Sequence, residues 1–150
     1  MVTAYDERLH VPLRWWVQGS MLVISLFLAL VVATPAALAF SVTAVCLLML
    51  VGALRSYGAA RVVVADGVLR VGRAQIEARH LGDAEPLDAE QTRRAAGVEA
   101  DARAFLMLRP YLSRAVKVAV TDPADPAPYW LVSTRHPDEL ADVVRTMTRS

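Results

Sequence analysis

Trp15-Trp-Val-Gln-Gly-Ser-Met-Leu-Val-Ile-Ser-Leu-Phe-Leu-Ala-Leu-Val-Val-Ala-Thr34-Pro35-Ala-Ala-Leu-Ala-Phe-Ser-Val-Thr-Ala-Val-Cys-Leu-Leu-Met-Leu-Val-Gly-Ala-Leu54 is a run of forty residues with no Asp, Glu, Lys, Arg or His, and 31 of the forty are apolar. As one straight helix it would reach about 60 Å, twice the hydrocarbon thickness of about 30 Å. The run must turn back on itself. Thr34-Pro35 is its only good breaker, because proline lacks an N–H and disfavours helix at the residue before it. The pattern predicts two transmembrane helices, Trp15–Ala33 and Ala36–Leu54. They form a hairpin over residues 15–55 that turns near 33–36. In lipid a backbone must satisfy its own hydrogen bonds, so helix is the expected form.

The flanks set the orientation. Arg8 and Arg14 precede the first span, Arg55 and Arg61 follow the second, and the turn carries no charge. Arginine on the cytoplasmic side puts both termini in the cytoplasm and the protein in the plasma membrane. Trp15, Trp16 and Tyr57 then fall at one membrane interface, where amphipathic aromatic rings settle. A rival reading is a secretory signal peptide, with Arg8 and Arg14 as basic region, Met21–Val32 as apolar core and Ala37-Leu38-Ala39 as cleavage site. Against it stand Asp6 and Glu7 in the basic region, and the second uncharged segment Phe40–Leu54 that cleavage would leave behind.

Outside this run the chain has an ordinary composition. The whole is 150 residues with a formal net charge of +1, which gives no basic excess to suggest nucleic acid. Its single cysteine, Cys46, has no partner in the chain for a disulfide and reads as an apolar filler. Residues 1–14 read as a cytoplasmic N-terminal arm. Residues 59–150 are long enough for one small cytoplasmic domain, held close to the membrane by the short Arg55-Ser-Tyr-Gly58 connection.

That domain begins with strands. Arg61–Ala65 and Val68–Val71 flank Asp66-Gly67, a strong two-residue hairpin signal. Ala74–Arg79 is a shorter alternating run, Leu87–Ala96 a short helix stopped by Gly97, and Ala104–Leu108 an apolar extended or buried segment. Ala115–Thr121 alternates, with Val116, Val118 and Val120 on one face. Asp122–Pro128 holds three prolines and reads as a turn, and Tyr129–Thr134 reads as a further strand with Trp130 in the core. The last element is a helix over 137–148. Pro137 suits its first position, Asp138 and Glu139 suit the positive end of its dipole, and Leu140, Val143, Val144 and Met147 make an apolar stripe. The expected architecture is an α-helical membrane hairpin followed by a small α+β domain. In it an antiparallel β-sheet is closed by the C-terminal helix, pleckstrin-homology-like by analogy of layout.

Catalytic patterns are weak. Gly67–Ala74 has the glycine spacing of a phosphate loop, but it lacks the Lys and the Ser/Thr that contact phosphate and magnesium. His10, His80 and His136 have no ligand spacing, and the carboxylates sit where solvation is the default. No enzyme activity, cofactor or metal is expected. The polar residues that stand out are Arg109, Tyr111, Arg114 and Arg135, which suit an anionic headgroup or a partner's carboxylate. Alternatively, Arg109 or Arg135 pairs with Asp101 or Asp122 and pins loops.

Three stretches carry a resemblance. They are Ala100–Tyr111, Val116–Tyr129 with its Asp-Pro-Ala-Asp-Pro core, and Leu131–Pro137 with Ser-Thr-Arg-x-Pro. Together with Tyr5-Asp-Glu-Arg-Leu9, Pro12 and Trp15-Trp16, they closely resemble the actinobacterial family labelled domain of unknown function 3093. The resemblance covers nearly the whole chain. It implies a small two-span membrane protein of high-GC Gram-positive bacteria and carries over no activity and no catalytic residue.

The expected role is a non-enzymatic membrane-anchored interaction or adaptor module at the inner face of the membrane. Its partners are the lipid bilayer and a protein in or on it, with a homo-oligomer left open. The alternative is an accessory subunit of a larger envelope-assembly or transport complex, and a more distant third reading is a lipid-acting enzyme.

Overall fold

A computed structural model describes residues 3–150. It divides into two compact units: His10–Ala59, and a second that joins the chain up to Leu9 with Ala60–Ser150.

Helices α1 (Leu13–Ala33) and α2 (Ala36–Gly58) make up the first unit. They part where Thr34 goes extended (φ −138°, ψ 163°) ahead of Pro35. Thr34 finishes α1 with its backbone N–H and its hydroxyl both on the Leu30 carbonyl, at 2.8 and 2.7 Å. The helices approach closely at Gly19, where a Cβ would stand 2.8 Å from Leu50 Cδ1. Phe27 and Phe40 meet nearer the turn with ring centroids 5.2 Å apart. No residue of α1 is buried, and α2 buries only Ala39 and Leu54. Both helices are long and apolar enough to cross a membrane. Leu22 and Leu48 are each 73% exposed, surface that water solvates poorly. The helices outrun the expected spans. Arg55-Ser-Tyr-Gly58, which the sequence presents as a connection, is the last turn of α2, because nothing there breaks a helix before Gly58. The apolar run marks a span, whereas backbone hydrogen bonding marks the helix.

The second unit holds two four-stranded sheets. Strands β1 (Thr3–Arg8), β2 (Arg61–Ala65), β3 (Val68–Val71) and β4 (Ala74–Glu77) form an antiparallel sheet in that order. Asp66 and Gly67 both take positive φ, 51° and 73°, as a two-residue hairpin that follows the strand twist requires. The second sheet is built from β5 (Leu81–Leu87), β6 (Phe105–Met107), β7 (Ala115–Val120) and β8 (Tyr129–Ser133), in the order β5-β7-β8-β6. Helix α3 (Ala89–Ala96) follows β5 and α4 (Pro137–Arg149) closes the chain. Helix α3 starts at Ala89 rather than Leu87 because a capping box fixes its first turn: Asp88 accepts from the Gln91 N–H at 2.8 Å and Gln91 accepts from the Asp88 N–H at 3.0 Å.

One core joins both sheets and α4. Val62, Leu69, Val71, Val118, Leu140 and Val144 are among its buried members. A second cluster, with Leu87, Ala95, Ala115, Tyr129 and Leu131, lies under α3. Strand β8 contributes to both clusters, so all five of its residues are buried.

Three expectations are corrected. The single antiparallel sheet is two sheets, and the second is mixed because β6 runs parallel to β8, with Phe105 opposite Trp130 and Met107 opposite Val132. A short apolar run carries no sign of its direction, so only packing sets it. Strand β5 has no legible sequence pattern because its buried residues, Leu81, Ala84 and Leu87, recur every three positions across a register shift between Leu81 and Ala84. Such a bulge breaks the two-residue period. Pro86 is tolerated because β5 is an edge strand.

The third correction concerns residues 1–14. Thr3–Arg8 is not an arm but strand β1, paired antiparallel with β2. The helical hairpin is thus an insertion between two neighbouring strands. Arg8 lies opposite Arg61, and the Leu9 N–H bonds the Ala60 carbonyl at 2.9 Å.

Candidate functional site

Along β1 and just beyond it, burial alternates. Tyr5, Glu7 and Leu9 point inward, Ala4, Asp6 and Arg8 outward. A period of two puts Glu7 on the core face between an aromatic and a leucine. The carboxylate is 8% exposed, and such burial costs several kcal/mol unless donors replace water. Besides Tyr5 on the same strand, the donors come from the far end of the chain, where β8 runs out into α4. Glu7 Oε2 accepts from the Tyr5 hydroxyl at 2.6 Å and from the Thr134 hydroxyl at 2.5 Å. Glu7 Oε1 accepts from the Arg135 N–H at 2.9 Å, with the Arg135 guanidinium 3.7 Å away. Thr134 Oγ1 in turn accepts from the His136 N–H at 3.0 Å, just ahead of Pro137 at the start of α4. Burial, and then the hydrogen bond to the Glu7 carboxylate, raise the Tyr5 phenol well above its ordinary value.

The residues singled out from the sequence gather around the same strand end. Arg135 Nη1 donates to the Arg8 carbonyl at 3.3 Å. Arg114 Nη2 donates to the Arg135 carbonyl at 2.9 Å, and the Thr134 N–H reaches the Arg114 carbonyl at 3.2 Å. The Tyr111 hydroxyl donates to the Leu9 carbonyl at 2.6 Å. The Arg109 N–H bonds the Ser133 hydroxyl at 3.0 Å. The suggested pairing of Arg109 or Arg135 with Asp101 or Asp122 is corrected. Asp101 pairs with Arg103 at 3.2 Å and Asp122 faces His80 at 3.7 Å, while Arg135 pairs with Glu7. For Asp101 the nearer donor won, since Arg103 is only two residues away. Its side chain holds the Asp101 carboxyl below the usual range.

Tyr5, Glu7 and Thr134 carry no role in the sequence reading. The available signal is the inward alternation Tyr5-x-Glu7-x-Leu9, which a charged residue at the middle position disguises. The stretches Tyr5–Leu9 and Leu131–Pro137, quoted separately for the resemblance, touch each other here. Trp15 and Trp16 lie in the first turn of α1 and Tyr57 in the last turn of α2, at the same end of the hairpin.

Glu7 is enclosed by donors, and of Arg109, Arg114 and Arg135 only Arg114 is exposed. Among the described residues, no three His, Cys, Asp or Glu side chains are grouped as metal ligands. A family model described as a protein of unknown function (DUF3093) matches residues 4–144. No curated protein and no solved structure matches the chain.

Proposed function

Since the chain belongs to the family of proteins of unknown function DUF3093, whose description assigns no chemistry, we propose a function from the residues and their arrangement. The chain is an integral protein of the cytoplasmic membrane. The α1–α2 hairpin crosses it twice, both termini are cytoplasmic, and the domain on the inner face is a non-enzymatic interaction or adaptor module. By analogy of layout, two sheets closed by one C-terminal helix are pleckstrin-homology-like. The contact surface is the one around Arg109, Tyr111, Arg114 and Arg135, and the interface rings are Trp15, Trp16 and Tyr57.

The observation that supports this reading best is the insertion of two almost wholly exposed apolar helices into the turn between paired strands. Lipid is the solvent that suits those surfaces, and the strand pairing returns the chain to the side it left. Extraction of membranes with alkaline carbonate should leave the full chain in the pellet. Protease should digest the domain in inverted vesicles and spare it in right-side-out ones. Release into the supernatant, or the opposite protease pattern, would overturn the proposal.

One observation favours the second reading, a subunit of a larger membrane complex. Thr43 Oγ1 is buried in the hairpin without a hydrogen-bond partner among the described residues. It borders an apolar groove of about 470 Å³ that Ser20, Phe27 and Phe40 also line. In hydrocarbon such a hydroxyl favours a neighbouring helix that offers an acceptor. A stable high-mass species on native gels, lost in Thr43→Val, would support the complex over the isolated module.

A further inference from the structure

We propose that a cavity beside α3 binds a small zwitterion of the free α-amino acid class. This goes beyond the adaptor reading and does not depend on it. Every residue that lines the cavity belongs to the strand-bearing unit, and none belongs to the surface around Arg114 and Arg135. The cavity has a volume of about 190 Å³, and its polar lining is Glu85, Gln91, Arg94, Glu99 and Lys117.

Strand β7 lies between β5 and β8. Its period of two puts Lys117 on the same face as Ala115, which packs with Leu87, Tyr129 and Leu131 under α3. Glu85 stands directly opposite Lys117 on β5, the usual place for an opposite charge across a ladder. The two form no ion pair. The Lys117 ammonium stands instead over the ring of Tyr129, on the other neighbouring strand, 4.4 Å from its centroid. Arg94 and Glu99 also lack an ion pair among the described residues. The charges nearby are already matched. Glu90 pairs with Arg93, Asp83 with Arg145 at 3.4 Å and Asp101 with Arg103 at 3.2 Å, and Asp88 caps α3. Two cations and two carboxylates thus border one cavity without neutralising each other in contact.

That lining selects for a ligand with both signs of charge. Arg94 and Lys117 offset Glu85 and Glu99, so a plain anion or a plain cation meets repulsion as well as attraction. A molecule with a carboxylate and an ammonium a few bonds apart answers both pairs. Arg94 offers the planar fork that suits a carboxylate. Gln91 adds a positioned donor: its Oε1 accepts from the Asp88 N–H at 3.0 Å, which fixes the amide and leaves the NH2 group for a ligand oxygen. Glu85 and Glu99 are acceptors for the ammonium. Size sets the class. A cavity of about 150 Å³ holds benzene, so this one suits roughly eight non-hydrogen atoms, an amino acid with a short side chain. Leu87 and Ala95, each 6% exposed, line it with apolar surface for the carbon atoms.

The test titrates the full chain in non-ionic detergent with glycine, L-alanine or L-serine, and separately with acetate and ethylamine, each followed by ligand-observed NMR. The amino acids should bind, and acetate and ethylamine should bind about tenfold more weakly or less. Arg94→Gln and Glu85→Gln should each weaken amino acid binding about tenfold, whereas Arg94→Lys, which keeps the charge without the fork, should recover part of it. Arg93→Gln, one position along α3 and engaged with Glu90, should leave binding unchanged. Thermal melting of each variant separates loss of the site from loss of the fold. Glu99→Gln, in the turn after α3, carries the same expectation as Glu85→Gln without touching a strand. No binding of any of the three amino acids, or undiminished binding by the Glu85→Gln/Arg94→Gln double variant, overturns the proposal. So does acetate bound as tightly as alanine, which would assign the cavity to a plain anion.

Discussion

Glu7 shows how a single residue can be costly alone and stabilising in company. Its carboxylate is buried, and three donors from two distant parts of the chain meet it. Glu7→Ala would leave the Arg135 N–H and one of the Tyr5 and Thr134 hydroxyls short of an acceptor, since those two hydroxyls lie 3.0 Å apart and can bond each other. The expected loss is about 3 kcal/mol or more, since each stranded buried group costs about 1–3 kcal/mol. Melting of the full chain in detergent checks the size of the loss, and faster amide exchange along residues 5–9 would locate it. Tyr5 makes a prediction in pH. Its phenol is raised in the folded protein, so its contribution is fully present below about pH 10, the ordinary phenol value, and is lost as pH climbs toward the folded value. The difference in melting temperature between wild type and Tyr5→Phe should therefore shift against wild type above about pH 10. A constant difference across that range would show that the phenol does not titrate as its burial demands.

At the scale of elements, periodicity carries the argument where it is intact and misleads where it is interrupted. Helix α4 is legible because its stripe is unbroken. Leu140 and Val144 are 1% and 0% exposed, and Val143 and Met147 pack beside the core. Val144→Ala should cost roughly 1–3 kcal/mol, because it removes buried methyl groups where both sheets and the helix meet. Denaturant titration would measure it, with Val98→Ala, at a site 92% exposed, as a silent control. Strands β1 and β5 are hidden for different reasons. A buried charge interrupts the apolar alternation in β1, and a bulge shifts the register in β5. Both are paired along their length all the same, because a strand is held by its partner's N–H and C=O groups whatever its own pattern.

At the scale of the whole molecule, the hairpin is an insertion in a strand connection. Arg8 opposes Arg61 and Leu9 bonds Ala60, the geometry that flanks a two-residue turn. Replacing residues 10–59 with Asn-Gly should therefore give a protein that is folded and soluble without detergent, with sharp melting and dispersed NMR signals. Residues 60–150 expressed alone should fare worse. They lack β1, which leaves the edge of β2 unpaired and Thr134 and Arg135 without Glu7. If the two behave alike, β1 is dispensable and the insertion view fails.

The sequence by itself determined the features that one stretch of chain encodes. These are the uncharged run and its break at Thr34-Pro35, the Asp66-Gly67 turn, the stop of α3 at Gly97 and the apolar face of α4. Each depends on neighbours a few positions apart, so local spacing is enough to read it. Only the tertiary structure decided that the first strand pairs with residues beyond a fifty-residue detour, that β6 runs parallel to β8, and that Glu7 is buried rather than solvated. The physical reason is that a carboxylate can leave water only where donors are waiting, and Thr134, which supplies one of them, lies 127 positions away.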